Sequence, residues 1–135
     1  MIVKNLVPVG DRFYLMAVNG TNVSKRGFDI LMRLVNPRDR VELVYFANQE
    51  ISSAQDKYVI QDYYNKELQE VGPVNSEFKI IDCPPHSDLC ATIINYANES
   101  TADVFAIAPR ATRTPSSITS EILNSVLMTV LLCKN

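Results

Sequence analysis

Short apolar runs, each closed by a turn-forming residue, alternate along this chain with stretches whose apolar residues recur at helical spacing. Residues 13–18, 41–47, 78–83, 104–108 and 128–133 are the runs, and their length and β-branched or aromatic content predict five strands. Between the first two, residues 24–35 place Phe28, Ile30, Leu31, Leu34 and Val35 on one stripe, which predicts a helix ended by Asn36-Pro37. A second helix is expected to about residue 71, opened by Ser53-Ala54-Gln55-Asp56 as a capping box with the shorter acid. Its expected buried face is Tyr58, Ile60, Tyr63, Tyr64 and Leu68. Ser87 is the expected cap of a third helix burying Leu89, Ile93, Ile94 and Ala97, and residues 115–126 form a short fourth.

Strand–helix alternation of this kind predicts a doubly wound, Rossmann-like α/β domain: a five-stranded, mainly parallel sheet with helices on both faces. It spans residues 13–135, after a lead-in over 1–12. A net charge of −2 over 135 residues lacks the basic footprint of a nucleic-acid binder, so no nucleic-acid partner is expected. No apolar run approaches a membrane span, and the N-terminal stretch is too interrupted for a signal peptide. Three cysteines, an odd and small number, fit a reducing compartment, and the expected setting is cytoplasmic.

The stretch that organises the chain runs from the strand at 104–108 through Pro109, a loop carrying Arg110 and Arg113, and then Thr114-Pro115-Ser116-Ser117. Thr114 is suited to cap the next helix and Pro115 to begin it. Open α/β sheets bind anions where a strand runs into a helix N-terminus, because unpaired N–H groups and the positive dipole end converge there. Glycine, which would let the backbone wrap closely around an anion, is missing from this loop.

Four segments carry a family resemblance. Ala17-Val18-Asn19-Gly20-Thr21 with Ser24, the strand Leu43-Val44-Tyr45-Phe46, the stretch 96–103 ending in Ala102-Asp103, and Thr129-Val130-Leu131-Leu132 resemble, in order and spacing, the universal stress protein family. The resemblance covers about residues 13–133 and implies the strand order 3-2-1-4-5. It also implies a homodimer through the last strand, with Met128, Val130, Leu131 and Leu132 on an open edge; the alternative is an edge covered by the N-terminal arm.

The nucleotide-binding members carry Gly-x-x-Gly, nine residues, then Gly-Ser/Thr after the fourth strand. Here the first two glycines fall on Ala108 and Ala111, Gly-Ser falls on Ser116-Ser117, and the loop is shorter by about five residues. Asn19 stands in place of the family's nucleoside-contacting aspartate, and Phe46 in place of a smaller residue beside adenine. The resulting expectation is a non-enzymatic, homodimeric stress-response binding protein with ATP binding lost or altered, and no cofactor. One alternative is an adenine-nucleotide switch using Asn19, Arg110, Arg113, Ser116 and Ser117; another is a protein–protein interaction module presenting the dimer edge and a tyrosine face. Cys83, His86 and Cys90 match no common zinc spacing, so no metal is expected, and no catalytic set can be nominated.

Overall fold

Strand and helix alternate in the order β1 (Ile2–Lys4), β2 (Phe13–Ala17), α1 (Asn22–Leu34), β3 (Arg40–Asn48), α2 (Ala54–Val71), β4 (Asn75–Cys83), α3 (Leu89–Glu99), β5 (Val104–Ile107), α4 (Ser117–Ser125) and β6 (Thr129–Leu132). This computed structural model describes residues 2–4, 11–48, 54–84, 87–109 and 117–133. The strands form one sheet in the order β1-β6-β5-β2-β3-β4. Every pairing is parallel except β1 with β6. The five parallel strands thus have the expected order 3-2-1-4-5.

Period-two alternation divides the strand side chains between two cores. Met16, Val18, Leu43, Val104 and Ala106 pack with Phe28 and Leu31 of α1 and Tyr64 and Leu68 of α2. Leu15, Val44, Phe105 and Ile107 pack on the other face with Ile93 and Ala97 of α3 and Ile122 of α4. β5 is buried throughout, as a central parallel strand must be. Truncating a fully buried side chain such as Phe105 to alanine therefore carries a cost of about 3–5 kcal/mol.

Three expectations change. The lead-in contains a strand, β1, whose residues 2–4 pair antiparallel with β6, Val3 opposite Leu131. β6 consequently lies between β1 and β5 and is not an edge. Val130 and Leu132 are buried in the α3/α4 core and Leu131 in the α1/α2 core, while Met128 packs against the former. Val130, Leu131 and Leu132 are therefore core residues of a strand paired on both sides, and Met128, which precedes the strand, is partly buried. Second, Tyr58 is 63% exposed, outside the expected buried face of α2. It stands six positions before the fully buried Tyr64, about 240° around the helix from it. Third, α3 is capped by Asp88, which accepts from the Ala91 N–H at 3.2 Å, while the Ser87 hydroxyl donates to the Pro84 carbonyl. The caps expected at Ser53 and Thr114 lie outside the described residues.

Asp39 pins the start of the sheet. Only 2% exposed, its carboxylate accepts from the backbone N–H of Arg12 at 2.9 Å and of Asn36 at 2.7 Å. Arg40 N–H donates to the Arg12 carbonyl at 2.8 Å, so the segment entering β2 is held against the one entering β3. Removing this acceptor strands two N–H groups. Asp39→Ala is expected to lower the unfolding free energy by about 2–3 kcal/mol and Asp39→Asn by less, read from urea denaturation.

Candidate functional site

In an open parallel sheet, the crevice forms where consecutive crossovers leave in opposite directions. Here that point lies between β2 and β5, since the chain proceeds from β2 outward to β3 and β4 before returning to β5. Asn19 follows β2 and Ala108 follows β5, and the pairing of Met16 with Ala106 sets the two strand ends level.

The turn after β2 is closed by its own side chains. Thr21 caps α1, its hydroxyl oxygen accepting from Ser24 N–H at 3.2 Å. The Asn19 Oδ1 accepts from both the Thr21 N–H, at 2.9 Å, and the Thr21 hydroxyl, at 2.6 Å. A carbonyl oxygen has two lone pairs, and both are used. The Ser24 Oγ accepts from the Asn19 N–H at 2.9 Å, and the Tyr64 hydroxyl donates to the Asn19 carbonyl at 2.9 Å while lying 2.9 Å from Ser24 Oγ. Tyr64, from α2, thereby joins α1 to the end of β2. Burial pushes its phenol up to about 12, with the Ser24 hydrogen bond pulling the other way, so it remains a neutral donor.

On the β5 side the constraint is steric. A Cβ at Gly27 would lie 2.4 Å from the Ala108 Cβ and 3.3 Å from Met16 Cε. α1 therefore sits directly on the end of β5, at the position where the resemblance set the first loop glycine. The Ala108 methyl occupies space that Gly27 leaves open.

Phe46 takes no part in this arrangement. It is 8% exposed, on the α3/α4 face, edge-to-face with Tyr96 at 5.6 Å between ring centroids. The sheet separates it from the Asn19–Ser24–Tyr64 cluster. Arg110, Ala111, Arg113 and Ser116 lie outside the described residues; Ser117 begins α4. Among the described residues no group of His, Cys, Asp and Glu could hold a metal ion, and His86 lies outside them. Cys83, Cys90 and Cys133 are buried, no disulfide joins them, and burial pushes the thiols up, to about 12 for Cys90 and Cys133. Gly27 and Tyr64 are the residues that the sequence reading did not assign to the site. An isolated glycine inside a helical pattern signals close packing, and that signal was present at Gly27.

Two outcomes test this junction. Helix propensity favours Gly27→Ala by about 1 kcal/mol, whereas overpacking against Ala108 opposes it by about 1–3 kcal/mol. The substitution is therefore expected to be neutral to destabilising alone and stabilising in an Ala108→Gly background; a double-mutant cycle by urea denaturation gives the coupling. An unfolded tyrosine ionises near 10, so above that pH the unfolded chain loses a proton that folded Tyr64 keeps until about 12. Stability should fall by about 2 kcal/mol over this window through Tyr64 alone, and Tyr64→Phe should flatten that part of the alkaline slope.

No protein-family model and no curated protein matches the sequence. Solved structures do. A protein of the universal stress protein family from Burkholderia pseudomallei is 14% identical with a TM-score of 0.69, over 90% of this chain and 94% of that one. A universal stress protein in complex with cAMP is 15% identical with a TM-score of 0.70, over 92% and 97%. A universal stress protein family protein from Arabidopsis thaliana with AMP bound is 16% identical with a TM-score of 0.67, over 92% of each chain. Near-complete coverage in both directions at such low identity establishes architecture, and the architecture of this chain is the universal stress protein fold.

Proposed function

We propose that this chain is a diverged universal stress protein that acts by binding rather than by catalysis, with the nucleotide site of that fold lost or altered. The observation that supports this reading is the closed junction at the sheet's reversal point. There the Ala108 methyl packs into the gap left by Gly27, and the Asn19 acceptor is spent within its own turn. An adenine nucleotide would need Asn19 free to contact the nucleoside and a glycine loop wrapped around the phosphates. Burial of the thiols, which holds them away from their nucleophilic form, accords with a role outside catalysis. Three cysteines without a disulfide accord with a cytoplasmic setting.

The cAMP and AMP bound to two structural neighbours favour a second reading, an adenine-nucleotide switch using Asn19, Arg110, Arg113, Ser116 and Ser117. Melting temperature under millimolar Mg-ATP, AMP and cAMP separates the two. A ligand at about 100 times its dissociation constant stabilises by about 2.7 kcal/mol, a shift of several degrees for a domain of this size. The expected result is a shift below about 1 °C for each nucleotide. An ATP-selective shift abolished in Arg110→Ala or Ser116→Ala would overturn the proposal in favour of the switch.

A further inference from the structure

With β6 enclosed, the described sheet ends on β1, three residues long, and on β4, nine residues long. Alternate N–H and C=O groups of β4 bond to β3, and the rest face outward as a pairing template. The side chains of β4 carry a self-complementary pattern. Glu77 lies 3.4 Å from Arg40, and Lys79 lies 3.3 Å from Glu42 and 3.5 Å from Glu77, all on the α3 face; Phe78 points into the α1/α2 core. The Glu77 and Lys79 side chains are still 46% and 44% exposed.

We propose that a second copy of this chain pairs with β4 edge to edge, antiparallel, about a two-fold axis at Phe78. In this register Glu77 stands directly opposite Lys79 of the second copy, and Lys79 opposite its Glu77. Centring the axis on Glu77 or on Lys79 sets like charges against each other, which is destabilising. Opposite signs two residues apart attract in this register and repel in its neighbours.

The same register has an independent consequence. It brings Val74, 100% exposed, level with Asp82 of the second copy. Asp82 is ion-paired with Lys57 of α2, next to the exposed Tyr58. Tyr58 shares a helical side with Asn65 and Gln69, which line a groove beside β4 that also includes Val74. The two-fold axis therefore brings the Val74 end of each β4 to the Asp82 end of the other, so the fully exposed Val74 gains a neighbouring strand. The contact is isologous and closes after two copies.

Sedimentation velocity of the full chain across the micromolar range tests the pairing. A reversible dimer is expected. Glu77→Lys or Lys79→Glu should weaken self-association about tenfold or more, and the exchange E77K/K79E should restore it. Circular dichroism checks folding. Should a single reversal disturb the Arg40 or Glu42 contacts, amide exchange of the unaltered protein gives a second readout: protection over residues 75–81 should rise with concentration. A monomer at all concentrations, or a dimer indifferent to both charge reversal and β4 exchange, would overturn the proposal. The nucleotide titration has no bearing on either result.

Discussion

The methyl group of Ala108 lies where Gly27 has no side chain, and this approach sets how α1 rests on the reversal point of the sheet. Van der Waals repulsion rises so steeply that a Cβ at 2.4 Å from another carbon cannot be accommodated without movement of the helix or the strand. Around this contact the hydrogen bonds fall into place. With α1 seated, Ser24 reaches both the Asn19 N–H and the Tyr64 hydroxyl, and Tyr64 reaches the Asn19 carbonyl. Three elements, β2, α1 and α2, are locked by groups that are each satisfied. At the reversal point of the sheet the described residues of β2, α1 and α2 form an internally bonded joint, with α1 packed on the end of β5.

Polar groups elsewhere obey the same accounting. Glu42 lies near the start of β3 and is buried, yet its carboxylate accepts from the Tyr96 hydroxyl and has Lys79 at 3.3 Å and Arg40 at 4.0 Å. A carboxylate so placed is tolerable because cations and a hydroxyl replace the water it lost. Burial, with Glu42 adding to it, pushes the Tyr96 phenol up and keeps it a donor. The cluster lies at the end of the sheet opposite the crevice, where Arg40, Glu42 and Lys79 line a hollow with Phe13 and Tyr96. The two edges of the sheet thus differ in kind. One ends in a short antiparallel strand of the same chain, and the other, among the described residues, in a nine-residue strand carrying charges of both signs.

Much of this protein follows from local pattern. The runs at 13–18, 41–47 and 104–108 became strands and the stripes between them became helices, because burial on one helical face or two strand faces imposes a period that any folded solution must honour. Asn19, Gly20 and Thr21 read as a turn, and the Asn19 side chain closes it by accepting from the Thr21 N–H. What the pattern left open is pairing between residues distant in the chain. A strand of three residues has no period to detect, so the choice between an open last strand and one covered by the N-terminal arm was settled only by the pairing of Val3 opposite Leu131, which covers it. Likewise the contact of Phe46 with Tyr96 joins β3 to α3 across 50 residues of chain, and no local pattern reports it.

What the sequence determined by itself is the fold class, the order of the five parallel strands and four helices along the chain, and the absence of glycine from the loop after β5, since each depends on residue type and local spacing alone. Tertiary structure decided the rest. That Gly27 makes room for Ala108, that Tyr64 closes the Asn19 turn from two elements away, and that β4 ends the described sheet are all facts of non-local contact. Their energies depend on distances of a few ångströms between atoms far apart in the chain.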